Sequence, residues 1–123
     1  MTPTARFLSS SWRSAERHAE LLLQRRGWIT LASNWSCRWG EIDLLCGKAG
    51  RLLLVEVKAR HRSGADGWGI AAFGAAKRQR LSSSFACWLV DQPRWQEASV
   101  EMVLALVPLP VGSRPVRWLG IDG

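Results

Sequence analysis

Two largely apolar runs, Ile42–Cys46 and Leu52–Val57, stand on either side of Gly47-Lys48-Ala49-Gly50. The stretch they define, Gly40 to Arg60, constrains the fold more than any other. Apolar runs of this length, joined by four residues with glycine at both ends, predict a β-hairpin. Strands so apolar belong inside a sheet covered on both faces. Yet the stretch also carries Glu41, Asp43, Glu56 and Lys58. Buried charges are rare unless they are paired or bind a metal.

Register decides whether those charges meet. If Cys46 pairs with Arg51, and so Gly47 with Gly50, Asp43 lies opposite Leu54 and Glu41 opposite Glu56. Side chains alternate faces with period two, so Glu41, Asp43, Glu56 and Lys58 then share one face. Asp43 and Glu56 become diagonal neighbours, within reach of one ion. A turn one residue longer or shorter would put them on opposite faces. Two carboxylates and an ammonium suit a hard divalent cation such as Mg²⁺, commonly held by one or two carboxylates with water and substrate phosphate. Lys58 would orient the attacking water or offset charge developing on the phosphate. The alternative is a structural ion pair of Glu56 with Lys58.

Asp43, then Glu56-Val57-Lys58, matches the Asp…Glu-x-Lys core of the PD-(D/E)XK nuclease superfamily. The fuller pattern is Gly40-Glu41-Ile42-Asp43-Leu44 and Val55-Glu56-Val57-Lys58-Ala59-Arg60, after Gly27-Trp28 and Asn34-Trp35. It resembles the YraN-like family within that superfamily, over roughly Ser14 to Val107. The resemblance implies a restriction-endonuclease-like core, related in fold to archaeal Holliday junction resolvases. It implies Mg²⁺ or Mn²⁺ as cofactor and DNA, including branched DNA, as partner. Asp43, Glu56 and the main-chain carbonyl of Val57 would hold the metal, Lys58 would position water, and Glu16 of the first helix would assist. Related junction-cleaving enzymes act as dimers, which makes a homodimer an expectation. Two departures from the family pattern stand out. Ala15 replaces the glycine usual before the helix glutamate. Ser99 replaces the arginine of the fourth strand, where Glu101 keeps the charge type of the family's aspartate.

Composition agrees with an anionic partner. The formal charge is +7, and 14 of the 17 basic residues are arginine, the side chain suited to bidentate phosphate contacts. Arg38, Arg60, Lys77, Arg78 and Arg80 are the candidate nucleic-acid contacts, with Glu41 a secondary member of the site. Cys37, Cys46 and Cys87 form no CxxC pair and have no histidine at ligand spacing. They imply a reducing, cytoplasmic setting and no zinc. No apolar run approaches membrane-spanning length. Met1 to Ser11 has no apolar signal-peptide core and reads as a frayed basic terminus.

In chain order, Trp12, Ala15, Ala19, Leu22 and Leu23 form one stripe of a helix over about 12–26, and Gly27 is its natural stop. Glu16 borders that stripe. It either reaches the edge of the sheet or pairs on the surface with Arg13 or Arg17. Trp28 to Asn34 reads as a strand. Asn34 to Trp39 reads as a turn whose Trp35 and Trp39 either stack on bases beside Arg38 or cover the end of the sheet. The hairpin follows. Then come a Gly-rich loop from His61 to Gly69, a short turn over Ile70–Phe73, and a second helix from about Ala75 to Val90. Its core line is Lys77, Leu81, Phe85 and Trp88, which sets Lys77 at the entrance. Ala98 to Pro108 is a fourth strand, and Val116 to Ile121 a short edge strand. The whole is α/β: a central mixed sheet flanked by two helices, with a crossover through the second helix making the third and fourth strands parallel.

The chemistry that follows is metal-dependent hydrolysis of phosphodiesters in structured or branched DNA. The alternatives are a nucleic-acid-binding module of the same fold without efficient catalysis, and an adaptor whose charges are only ion pairs.

Overall fold

The computed structural model describes residues 3–61 and 74–121, with side chains from Trp12 onward. The expected loop beyond His61 and the turn over Ile70–Phe73 lie outside the described residues. The elements are α1 (Pro3–Arg25), β1 (Ile29–Cys37), β2 (Gly40–Lys48), β3 (Arg51–Arg60), α2 (Ala75–Leu89), a short 3₁₀ turn at Pro93–Trp95, β4 (Ser99–Pro108) and β5 (Arg117–Gly120). The five strands form one sheet in the order β1-β2-β3-β4-β5. Only β3 and β4 are parallel; the other neighbours are antiparallel. This is the mixed α/β sheet expected of a restriction-endonuclease-like core.

The helix α1 begins at Pro3, upstream of the start read from the apolar stripe, with proline in the first turn, where its missing N–H costs nothing. It stops as the sequence requires. Gly27 has φ +91°, and the amides of Gly27 and Trp28 donate to the carbonyls of Gln24 and Leu23 at 3.0 and 3.1 Å. That pairing satisfies the last helical carbonyls, and it brings Trp28 back against the core beside Leu23. Ala15, Ala19 and Leu23 pack on Leu44, Cys46, Leu53, Val55 and Val57. Leu81 and Trp88 of α2 pack with Leu45, Leu52 and Leu54. Along β3 these two sets alternate, so the helices cover opposite faces and the strand is buried on both, as its composition demands.

Two local expectations are corrected. The first strand does not end at Asn34. Pairing with β2 continues to Cys37 opposite Gly40, which leaves a two-residue turn at Arg38-Trp39. Asn34 takes φ +50° inside the strand, a conformation asparagine tolerates better than most residues. Trp35 beyond it packs into the core on the α2 side. The second correction is the β2–β3 register. Lys48 pairs with Arg51 and Cys46 with Leu53, two residues from the register read off the sequence. The turn is Ala49-Gly50, with φ +49° and +76°, the positive pair that matches the twist of a hairpin. Gly47 is therefore a strand residue. A Cβ there would lie 2.6 Å from the Trp95 ring and 2.9 Å from Leu31, so close packing, not turning, requires the glycine. Because the shift is two residues, no side chain changes face.

Candidate active site

The β2–β3 ladder ends at Leu44 opposite Val55. One rung further, the same register would set Asp43 opposite Glu56. There the side chain takes over from the ladder: Asp43 Oδ2 accepts the Val57 N–H at 2.9 Å. In a strand the N–H and C=O of one residue point the same way. The Val57 carbonyl thus faces the same opening between β2 and β3. The start of β2 and the end of β3 part here, and the cavity between them is about 380 Å³.

Asp43, Glu56, Lys58 and Glu41 line this cavity, joined by Lys77 and Arg80 from the first turns of α2. Asp43 is within hydrogen-bonding contact of Glu56 on one side and Glu16 on the other. Glu16 is buried, with 6% of its surface exposed, so it is not the surface partner of an arginine; Arg17 pairs instead with Glu20 at 2.8 Å. Asn34, its amide nitrogen turned toward Glu16, donates to both carboxylate oxygens at 3.1 and 3.2 Å. The Trp12 side chain also hydrogen-bonds to Glu16.

The electrostatics follow from burial and crowding. Burial, reinforced by the Asp43 charge, pushes Glu56 up to about 7, against the opposing pull of Lys77 and Lys58. Burial and Asp43 likewise push Glu16 up to about 7, although the bonds from Asn34 and Trp12 oppose the rise. Asp43 is raised by burial, offset in part by the Val57 N–H, with the Glu41 charge adding to the rise. Lys58 is pushed down to about 8 by burial and by neighbouring Lys77 and Arg60, with Glu56 opposing. Its ammonium sits 5.8 Å from the centre of the Trp12 ring.

Carboxylates held in one another's field are what a divalent cation would relieve, and the donors are the hard oxygens that Mg²⁺ prefers. Among the described residues, no three His, Cys, Asp or Glu side chains converge as a closed cage. The donor set that fits is the open kind: Asp43, Glu56 and the Val57 carbonyl, with positions left for water and phosphate.

The candidate nucleic-acid contacts divide. Lys77 and Arg80 face the cavity, whereas Arg78 lines a separate depression with Gln79 and Met102. Arg60 is exposed at the end of β3, and its charge is felt by Lys58. Arg38 lies 4.5 Å over the Trp39 ring at the β1–β2 turn. Trp39 is 49% exposed and does not cover the sheet end, a role that falls to Trp35. Sequence reasoning missed Trp12 and Asn34 as site residues. Trp12 lay on the apolar stripe and read as core. Asn34 read as a turn residue, although an asparagine between two strand-like halves is itself a signal of a left-handed strand position.

A larger cavity of about 720 Å³, mostly apolar, lies between α1 and the turn before β5, and none of the site carboxylates line it. Among the described residues, no helix is long and apolar enough to cross a membrane.

The model of the family described as "Uncharacterised protein family UPF0102" matches residues 15–105. The chain belongs to this family. UPF0102 is the YraN-like family of the sequence resemblance, and its members have the PD-(D/E)XK nuclease-like fold. A UPF0102 protein of Prochlorococcus marinus (strain MIT 9303) is 50% identical over 101 residues, covering 82% of this chain and 80% of the relative. One from Synechococcus sp. (strain CC9902) is 48% identical over 107 residues, covering 87% and 88%. One from Pseudomonas aeruginosa (strain LESB58) is 36% identical over 109 residues, covering 87% and 86%. The matched span contains Glu16, Asp43, Glu56, Lys58 and Lys77.

Proposed function

We propose that this UPF0102 protein is a metal-dependent phosphodiester hydrolase acting on structured or branched DNA. One observation supports this most: Asp43 and Glu56 touch each other, both titrate above their ordinary values, and both share a cavity with Lys58. Two carboxylates crowded this close raise the cost of ionising one another, the pattern by which a functional site is recognised. Mg²⁺ or Mn²⁺, held by Asp43, Glu56 and the Val57 carbonyl, supplies Lewis-acid polarisation of a phosphate oxygen.

The remaining steps belong to the chain. Lys58, brought down to about 8 by burial and by Lys77 and Arg60, stays largely protonated at neutral pH, orients the attacking water by hydrogen bonding and balances the developing phosphate charge. Glu16, fixed by Asn34 and Trp12, sets the orientation of Asp43 from behind. Lys77 and Arg80 at the rim draw the phosphate backbone toward the carboxylates, which would otherwise repel it. Trp39 with Arg38 at the hairpin tip offers a stacking surface to an unpaired base.

The test is cleavage of duplex, flap and four-way-junction DNA with Mg²⁺ or Mn²⁺. Cleavage of a branched substrate, abolished by EDTA and by Glu56→Gln, is the expected result. Salt-sensitive binding to all three DNAs without cleavage of any would replace the hydrolase reading with a binding module of the same fold.

A further inference from the structure

The turn between β1 and β2 lies against α2. A Cβ built at Gly40, whose φ is +144°, would come within 3.2 Å of the Ser84 hydroxyl, so turn and helix meet at close range. Ser84 is fully buried and donates to the Arg80 carbonyl at 3.0 Å. Cys37, the last residue of β1, pairs with Gly40 across the turn. That pairing and the Gly40–Ser84 approach set Cys37 beside α2 at Ser84, and Cys87, one turn further along the helix, feels the Cys37 thiol. The Trp39 N–H donates to the Cys37 sulfur at 3.4 Å. Both cysteines are free and half-buried.

We propose that Cys37 and Cys87 form a reversible disulfide when the protein meets a hydroperoxide, pinning the β1–β2 turn to α2. The surroundings assign the two sulfurs different parts. Burial raises Cys37, but the Trp39 N–H that donates to its sulfur at 3.4 Å, with the other polar groups around it, outweighs that, and the thiol titrates below its ordinary value. Cys87 is raised, first by the hydrogen bond to Cys37 and then by burial. The amide bonded to its sulfur stabilises a Cys37 thiolate, so Cys37 is the thiolate that attacks and Cys87 the thiol that resolves. The Cys37 sulfur attacks the peroxide oxygen, the O–O bond breaks, and the leaving oxygen takes a proton from water to depart as alcohol or water. Cys37 is then a sulfenic acid. The Cys87 sulfur, giving up its proton, attacks the Cys37 sulfur; the S–S bond forms, the S–OH bond breaks, and the hydroxyl leaves with that proton as water. The two thiols together supply the two electrons that reduce one peroxide. A dithiol reverses the link by exchange.

The third cysteine is the internal control. Cys46 is fully buried, and burial pushes its thiol up to about 12, which leaves almost no thiolate to react. The link also has a structural consequence. Gly40 and Glu41 form one wall of the carboxylate cavity, and Lys77, Arg80 and Leu81 form another. Joining the turn to α2 fixes the width of that opening. Any effect on cleavage rests on the hydrolase reading above; the disulfide itself does not.

The experiment treats the full chain with a small excess of hydrogen peroxide, alkylates remaining thiols under denaturing conditions, and maps the peptides without reduction. The expected product is a monomer lighter by two hydrogens, with Cys37 linked to Cys87 and Cys46 alkylated. Its free thiols fall from three to one, and dithiothreitol restores them. Cys87→Ser should stop at a Cys37 sulfenic acid trapped by dimedone, and Cys37→Ser should leave Cys87 unreacted over the same interval. Wild type in which Cys37 passes to sulfinic acid beside an alkylated Cys87, or which links only between chains, overturns the proposal whether or not the variants fold. Loss of cleavage without the link, or the link without any cleavage to regulate, separates the failure of one reading from the failure of the other.

Discussion

Replacing Asp43 with asparagine should stabilise this protein at pH 8 in the absence of metal. The Asp43 charge is the second cause, after burial, that holds both Glu16 and Glu56 at about 7. Against the ordinary value of 4.5, each group is raised by about 2.5 units, or about 3.4 kcal/mol at 1.36 kcal/mol per unit. Burial takes the larger share, and a discount for solvent at the cavity mouth leaves about 0.5–1 kcal/mol per partner for Asp43. The two partners together give about 1–2 kcal/mol. The substituted amide keeps an oxygen where Asp43 Oδ2 accepts the Val57 N–H at 2.9 Å, so the hydrogen bond survives while the charge goes. Asp43→Ala removes the acceptor and strands a buried N–H, which costs roughly 1–3 kcal/mol and offsets the electrostatic gain.

The sign with pH is fixed by linkage. Glu16 and Glu56 bind protons more tightly in the folded chain than in the unfolded one. Their contribution to stability is intact below about 4.5 and is lost as pH rises toward 7. The wild type should therefore melt lower at pH 8 than at pH 5, and the gain in Asp43→Asn should appear at pH 8 and shrink at pH 5. For a chain of this size, 1–2 kcal/mol is roughly 4–8 °C in Tm. Calorimetry at both pH values in EDTA, then with Mg²⁺, is the assay. Mg²⁺ should raise the wild type at pH 8 and leave Asp43→Asn unmoved. An asparagine variant that melts below wild type at pH 8 in EDTA would refute the claim that these carboxylates repel one another.

Three further outcomes are expected. Lys77→Ala should lower the log–log salt slope of DNA binding by about one, whereas Arg78→Ala, on a different side of α2, should leave it nearly unchanged; equal losses in a salt titration would put the DNA path elsewhere. Gly47→Ala should cost about 1–3 kcal/mol in denaturant unfolding, because its methyl meets the Trp95 ring at 2.6 Å, and Trp95→Leu in the same chain should recover part of that. Ala49→Gly should gain up to about 1 kcal/mol, since φ +49° is a strained position for alanine; an unchanged unfolding midpoint would mean the turn is not the positive-φ type.

The sheet was legible because β2 and β3 are apolar on both faces, and that pattern admits few arrangements. The register was not, because glycine has two uses in a hairpin. Gly47 and Gly50 looked alike in the sequence, yet Gly50 turns the chain at φ +76° while Gly47 makes room for Trp95, a residue far along the chain. No local rule can see that contact. Lys77 was legible because a helical line of Leu81, Phe85 and Trp88 fixes which side of α2 faces in. Arg78, one residue on, was carried along by its charge alone and faces elsewhere.

The deepest gap concerns how Asp43 is held. Alternation along β2 would keep Asp43 as one more rung of the ladder, its backbone paired and its carboxylate on one face. The structure instead ends the ladder one residue before it and gives the Val57 N–H to the side chain. Across the sheet, Asn34 adopts φ +50° and turns its amide to Glu16, which in turn touches Asp43. The departures from strand geometry thus fall on both neighbours of one carboxylate. A sheet gains nothing in packing from giving up a rung and seating an asparagine in a left-handed position. The two departures together leave the Asp43 carboxylate between Glu16 and Glu56, with its Oδ2 on the Val57 N–H, at a cost in stability that protonation or a bound cation would relieve. Asn34→Ala removes the two hydrogen bonds that oppose the rise of Glu16, so the stability deficit at pH 8 should widen, while Mg²⁺ affinity should fall because Glu16 no longer holds Asp43 in place. A variant that keeps the wild-type deficit at pH 8 and binds Mg²⁺ as tightly as wild type would show that Asn34 is seated there for some reason other than the site.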